Sequence, residues 1–217
     1  MLKKLILMLS GLFIMALAMA FLSAADLGIS PVQSLAYVLS NKFPDFLSFG
    51  VASGAWNIIL VVVQIALLRR NFRLWELLQI PLSLYFAVVI DLARKIVTVS
   101  PETYPARILT MLLGIVILAF GISLTLRGNL VMNSGEATVK ALAEKTKKSF
   151  GNVKVVFDLS IVASAVAASF IFFGRFRFDM IGIGTLCSAC MTGFLVKGMT
   201  KLMERVGNEL RKSADRS

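Results

Sequence analysis

The sequence contains no histidine and only two cysteines, Cys187 and Cys190, among its 217 residues. Without histidine, the chain lacks the commonest transition-metal ligand and the usual base of serine and cysteine nucleophiles. The two cysteines lie in an apolar segment, where they do not build the disulfide framework of a small secreted protein, and we interpret them as small packing residues. Phosphate-binding, dinucleotide-binding and zinc-protease motifs are also absent. These absences predict a protein that is not an enzyme and has no metal or cofactor.

Charged residues are also scarce. They make up 16% of the chain, whereas soluble domains carry about a quarter. Hydrophobic residues make up 58%, with a mean hydropathy of +0.83. The net charge of +11 does not indicate nucleic-acid binding, because the basic residues interrupt long apolar runs instead of forming a patch with stacking aromatic side chains. The composition predicts a membrane protein whose partner is the lipid bilayer.

Six stretches of about 20 predominantly apolar residues are long enough to cross a bilayer as helices. They are residues 5–25, 47–68, 74–92, 108–126, 153–173 and 180–196. The first stretch follows Lys3 and Lys4 and ends in small residues, as a signal peptide does, but it exceeds the roughly 7 to 15 apolar residues of such a segment. We therefore predict an all-α membrane protein with six spans, and a five-span topology is the alternative.

The basic residues are distributed unevenly between the two ends of these spans. With the N-terminus in the cytoplasm, sixteen of the 23 lysines and arginines lie in cytoplasmic segments and six lie outside, with Lys154 inside a span. Because cytoplasmic segments carry the excess of basic residues, we predict that both termini are cytoplasmic. Five spans would place the basic C-terminal tail outside.

An offset of 101 to 104 residues superposes the two halves of the chain, which indicates an internal duplication. Each half carries three spans, and because three is odd, the halves enter the membrane from opposite sides. We predict an inverted repeat of residues 1–103 and 104–200, followed by a basic cytoplasmic tail at residues 201–217. Matched positions include Gly11 with Gly114, Lys42 with Lys145, Ser48-Phe49-Gly50 with Ser149-Phe150-Gly151, and Trp56-Asn57 with Phe157-Asp158.

Each half contains a short amphipathic segment after its first span. Ser30 with Gln33, and Asn133 with Glu136, have the spacing of a helix-capping box. If these helices are re-entrant, their N-termini present free N–H groups near the midplane, where an anionic solute group binds. The alternative is an interfacial helix that lies flat on the bilayer.

Polar residues inside the spans are the remaining candidates for a site, because they are costly in a membrane. Asp158 follows Lys154 by one helical turn, which fits an ion pair, and a role as an ion or proton carrier is the alternative. Gln64 and Gln79 fit hydrogen bonds between helices. The predicted solute-binding residues are Asp26, Ser30, Gln33, Asn57, Asn133, Glu136 and Asp158.

Several glycine-centred motifs resemble the YczE/YyaS/YitT-like family of bacterial integral membrane proteins. They are the Asp-Leu-Gly-x-x-Pro segment at residues 26–31, the Ser-Phe-Gly start of the second span, Asp91 at the end of the third, and the Gly-Ile-Gly-Thr turn at residues 182–185. In the first half, Gln79-Ile80-Pro81 stands in place of that turn. The resemblance implies an embedded, duplicated protein of the bacterial inner membrane, in a largely uncharacterised family.

The leading functional hypothesis is a small secondary transporter, or a subunit of one, that binds an unidentified small solute between the two repeats. The alternative is a non-transporting membrane scaffold or accessory protein that recruits a partner through its basic cytoplasmic face. A homo-oligomer is one of the oligomeric states that the sequence allows. The transporter hypothesis predicts that the candidate residues converge on a water-accessible cavity.

Overall fold

The computed structural model describes residues 2–214, with side chains through Arg205. Within that range the chain forms eight α-helices and two short 3₁₀ turns, and no strand. The helices are α1 (Leu2–Ala25), α2 (Pro31–Lys42), α3 (Phe49–Leu68), α4 (Gln79–Ile96), α5 (Tyr104–Gly128), α6 (Ser134–Thr146), α7 (Phe150–Phe173) and α8 (Ile183–Ala214). The 3₁₀ turns, Arg69–Asn71 and Leu74–Leu78, form the link between α3 and α4.

Six helical segments are long and apolar enough to cross a membrane, as the sequence predicts. The last one differs most from its predicted bounds, because it runs from Ile183 to Arg205 and not over residues 180–196. Helix α8 continues from Lys201 to Ala214 without a break, so it includes most of the segment predicted as a basic tail. The side chains of residues 206–214 and all of residues 215–217 lie outside the described residues.

Helices α1 and α5 form the centre of the bundle and run antiparallel to each other. Glycines allow this close approach, since a Cβ on Gly11 would lie 2.8 Å from the backbone oxygen of Gly121. Near the other end of the pair, a Cβ on Gly114 would lie 2.9 Å from Leu22. Helix α4 packs on α1, and α8 packs on α5. We call the face at which α1 begins and α5 ends the proximal face, and the opposite face the distal face.

The two short helices pack inside the bundle. Helix α2 packs on α3 and α7, while α6 packs on α7 and α3. Seven of the twelve residues of α2 are buried, and these include the polar residues Gln33, Ser34 and Ser40. The first turns of α2 and α6 touch, because a Cβ on Gly135 would lie 3.1 Å from Val32.

Helix α1 ends before it reaches the distal end of its neighbour α5. Leu22 lies beside Gly114, and α5 begins ten residues earlier, at Tyr104. At 1.5 Å per residue, the end of α1 at Ala25 lies about 10 Å short of the start of α5. The chain therefore turns into α2 within the height of the bundle.

The predicted starts of the short helices are correct, but their predicted capping bonds are not. Ser30 and Asn133 are the N-cap residues, and neither side chain makes a capping hydrogen bond. The Gln33 side chain instead accepts a hydrogen bond from Ser53 Oγ at 2.7 Å, on helix α3. Tertiary contact with α3 thus replaces the local capping interaction.

Candidate functional site

A cavity of about 480 Å³ lies at the proximal face, between segments of the two sequence halves. One wall is the 3₁₀ link between α3 and α4, and a second is the first turns of α6. The end of α5 and the loop that follows it form the third wall. The indole of Trp75 is held at this edge, because its Nε1 donates a hydrogen bond to the backbone oxygen of Leu130 at 2.9 Å. The volume falls within the range of small-molecule sites.

Two buried glutamines form a hydrogen-bonded bridge beside the cavity. Gln64 and Gln79 are almost fully buried, and each Nε2 donates to the other side chain's Oε1 at 3.1 Å. Gln64 Nε2 also lies 3.2 Å from the Ser134 backbone oxygen and from Thr138 Oγ1 on α6. The prediction that these glutamines bridge helices is confirmed. Because Gln79 lines the cavity, the bridge positions one side of it.

On the distal side of the bundle, the loop after α1 makes a direct backbone contact with the segment at the start of α8, which we call the distal clasp (residues 27–28 and 179–185). Gly28 N donates to the Asp179 oxygen at 3.1 Å, and Gly184 N donates to the Leu27 oxygen at 2.6 Å. Gly28 has a φ of +96°, and a Cβ there would lie 2.5 Å from Thr185 Oγ1. Both its backbone conformation and its surroundings therefore require glycine.

Charged side chains surround the clasp. Arg177 donates to both carboxylate oxygens of Asp179, with the shortest bond at 2.7 Å. These hydrogen bonds hold the pKa of the Asp179 carboxyl below its ordinary value. Partial burial raises the pKa of the Asp26 carboxyl, and the charge of Arg107 opposes that shift only in part. The pKa values of the two aspartates are therefore shifted in opposite directions from the usual value.

The predicted site residues occupy separate places in the fold. Asn133 and Glu136 line the proximal cavity. Asp26 and Ser30 lie in the loop that precedes α2, and neither lines this cavity. The structure thus brings two of the predicted residues to one cavity and leaves these two apart from it.

The other predicted residues are buried or paired. Gln33 contacts Ser53, and Asn57 lies one helical turn further along α3, where it is 2% exposed and its Oδ1 has no protein partner. Asp158 accepts a hydrogen bond from Lys154 Nζ at 2.8 Å. The ion pair expected from the spacing of these two residues is formed.

Several cavity residues were not among the predicted site residues. Arg73, Trp75 and Glu76 come from the link between α3 and α4, and Lys140 comes from the second turn of α6. Besides Asn133 and Glu136, the segment Gln79-Ile80-Pro81 is a sequence signal that pointed to this region. It stands where the second half has the glycines of the distal clasp, and the proximal face is open at this point.

Comparisons with known proteins agree with this architecture. The model of a "Family of unknown function (DUF6198)" matches residues 2–201. The "Uncharacterized membrane protein YczE" of Bacillus subtilis (strain 168) is 25% identical over 190 residues, which cover 87% of this chain and 81% of the relative. The "Uncharacterized protein YyaS" of the same organism is 23% identical over 201 residues, which cover 90% of this chain and 91% of the relative. No solved structure matches. The resemblance expected from the glycine motifs is confirmed.

Proposed function

From its geometry we propose that this chain, which belongs to the DUF6198 family of unknown function, is a small secondary transporter that binds a solute in the proximal cavity. The observation that carries the proposal is the contrast between the two faces. A cavity of about 480 Å³ lies at the proximal face, whereas on the distal side the loop after α1 is joined by backbone hydrogen bonds to the segment at the start of α8. A carrier that exposes its site to one side of the membrane at a time has this form.

The packing of the halves supports an inverted repeat. The short helix of each half packs on the second span of the other half, as α2 does on α7 and α6 does on α3. Within each half, the third span packs on the first, as α4 does on α1 and α8 does on α5. These matching contacts within and between the halves fit a pseudo-twofold axis in the membrane plane. The short helices then act as re-entrant helices whose N-terminal turns meet inside the bundle.

The membrane and the orientation are also part of the proposal. We place the protein in the bacterial cell membrane with both termini in the cytoplasm, so that the proximal cavity faces the cytoplasm. The excess of lysine and arginine in the proximal segments supports this orientation. The membrane-protein relative supports the location.

A steric block of the cavity tests the transport proposal. Purified protein is reconstituted in vesicles that are loaded with a bacterial metabolite extract, and solute loss is followed by mass spectrometry. We expect at least one solute to leave faster than from protein-free vesicles. Asn71→Trp should slow this efflux at least tenfold, because Asn71 lines the cavity. Asn152→Trp is the matched control, since Asn152 is an exposed residue in the first turn of α7.

Two results would contradict transport through the cavity. One is that no solute leaves faster than in protein-free vesicles, and the other is that both tryptophan variants transport equally. A truncation after Arg205 keeps the last span and tests the scaffold alternative. If the full chain shows no efflux, and if cells that carry the truncated chain show the phenotype of cells without the protein, recruitment of a partner through the basic tail is favoured.

A further inference from the structure

The charged side chains of the proximal cavity are arranged by depth. The lining contains five charged residues, and the two half-buried ones, Glu76 and Glu136, are both acidic. The basic residues of the lining, Arg73 and Lys140, are exposed and lie at its rim, together with Glu144. The two half-buried carboxylates come from different walls, one from the link between α3 and α4 and the other from α6. The less solvated part of the cavity is therefore acidic.

Neither half-buried carboxylate is neutralised by a basic side chain. The side chains of residues 2–205 form two ion pairs, Lys154–Asp158 and Arg177–Asp179. Glu136 lies one turn before Lys140, the spacing of a helical ion pair, yet these residues are not paired. A carboxylate that loses part of its hydration without gaining a cation is unfavourable. A positively charged group that enters the cavity would compensate this loss of hydration.

From these observations we propose that the cavity binds a small solute that carries an ammonium group, which Glu136 and Glu76 hold. A protonated amine donates charge-assisted hydrogen bonds to carboxylates. The indole of Trp75, which lines the same cavity, adds an aromatic surface that favours a cation. The amine is either a simple organic cation or a zwitterion whose carboxylate meets Arg73 and Lys140 at the rim. This inference rests on the proposed function, because it takes the cavity as the solute site.

Tryptophan fluorescence offers a binding measurement that does not depend on transport. The chain has two tryptophans and three tyrosines, and Trp56→Phe leaves Trp75 as the only tryptophan, which can be excited selectively over tyrosine. The exchange removes no hydrogen bond, since the indole N–H of Trp56 has no protein partner. The purified full chain is titrated with propylamine, with β-alanine and with propionate, which represent the cation, the zwitterion and the anion on the same three-carbon frame.

We expect propylamine, β-alanine or both to change the Trp75 emission saturably, and propionate to have no saturable effect. Glu136→Gln should weaken the amine binding by about tenfold or more, because a hydrogen bond between charged groups is lost. Glu76→Gln provides a second test from the opposite wall. Glu102→Gln is the matched control, since Glu102 is exposed and outside the cavity. Unchanged thermal unfolding of the variants excludes a folding defect.

Three results would overturn the inference: no saturable change with either amine, saturation by propionate, or equal amine affinity in both cavity variants and the Glu102→Gln control. The outcome is separable from that of the transport assay. Amine binding without efflux would contradict the proposed function alone. Efflux of anionic solutes only, blocked by Asn71→Trp, would contradict the ammonium site alone.

Discussion

Single charges at the distal clasp have opposite effects on stability. The pKa of Asp179 is lowered by its hydrogen bonds with Arg177, so its charged form stabilises the folded state above the unfolded-state pKa, about 3.9 for an aspartate. This contribution is lost as the pH falls through the lower, folded-state pKa. The pKa of Asp26 is raised by burial, so its charge opposes folding above the folded-state pKa and not below about pH 3.9.

These opposite pKa shifts predict that Asp179→Asn lowers the melting temperature at pH 7 and that Asp26→Asn raises it. The Asp26→Asn difference should shrink as the pH falls to about 4, whereas the Asp179→Asn difference should persist at pH 4 and shrink only at lower pH, as Asp179 becomes protonated in the folded state. Asn suits position 26, since the φ of Asp26 is +52° and Asn is among the residues that tolerate the left-handed region best. Thermal unfolding in detergent at pH 7 and pH 4 measures both effects. Shifts of the same sign at pH 7, an Asp26→Asn shift as large at pH 4 as at pH 7, or an Asp179→Asn shift that disappears at pH 4 would contradict this assignment.

Corresponding helices of the two halves start alike but pack differently. Ser48 and Ser149 cap α3 and α7 in the same way, each by accepting from the backbone N–H three residues on. The glycines that follow in the Ser-Phe-Gly motif have different surroundings. A Cβ on Gly50 would lie 2.6 Å from the Asp91 carboxylate on α4, whereas a Cβ on Gly151 would meet nothing within 4 Å. The same sequence motif is therefore a helix contact in one half only.

The difference predicts opposite outcomes for the same substitution. Gly50→Ala should lower the free energy of unfolding by about 1–3 kcal/mol, because the methyl group overpacks the contact between α3 and α4. Gly151→Ala should be neutral or stabilise by up to about 1 kcal/mol, since alanine is the better helix former. Unfolding in mixed micelles at increasing SDS fraction measures both variants. Equal losses would show that the two glycines are buried alike.

Because six is an even number, six spans require both termini to lie on the same side of the membrane. We expect green fluorescent protein to fluoresce when fused after Ser217, and equally when fused before Met1, because it folds in the cytoplasm. Alkaline phosphatase inserted in the exposed segment at residues 98–100 should be active outside. The uneven distribution of lysine and arginine is the physical reason. An active phosphatase fused after Ser217 would support the five-span alternative instead.

The helices and their order follow from local features of the sequence. An apolar run of about 20 residues is a local property, so the spans could be recognised one at a time. The starts of α2 and α6 at Ser30 and Asn133 follow equally local rules. The pairing of Lys154 with Asp158 was also predictable, because it needs only the spacing of one helical turn.

The cavity and the distal clasp depend on how distant segments of the chain pack together. Glu76 and Glu136 line the same cavity although sixty residues separate them, and no local pattern places the link between α3 and α4 against α6. The expected cap at Gln33 was replaced by a bond to Ser53 for the same reason. Contacts between distant segments depend on how the helices pack, and a capping or hydropathy pattern describes only residues within a few turns of each other.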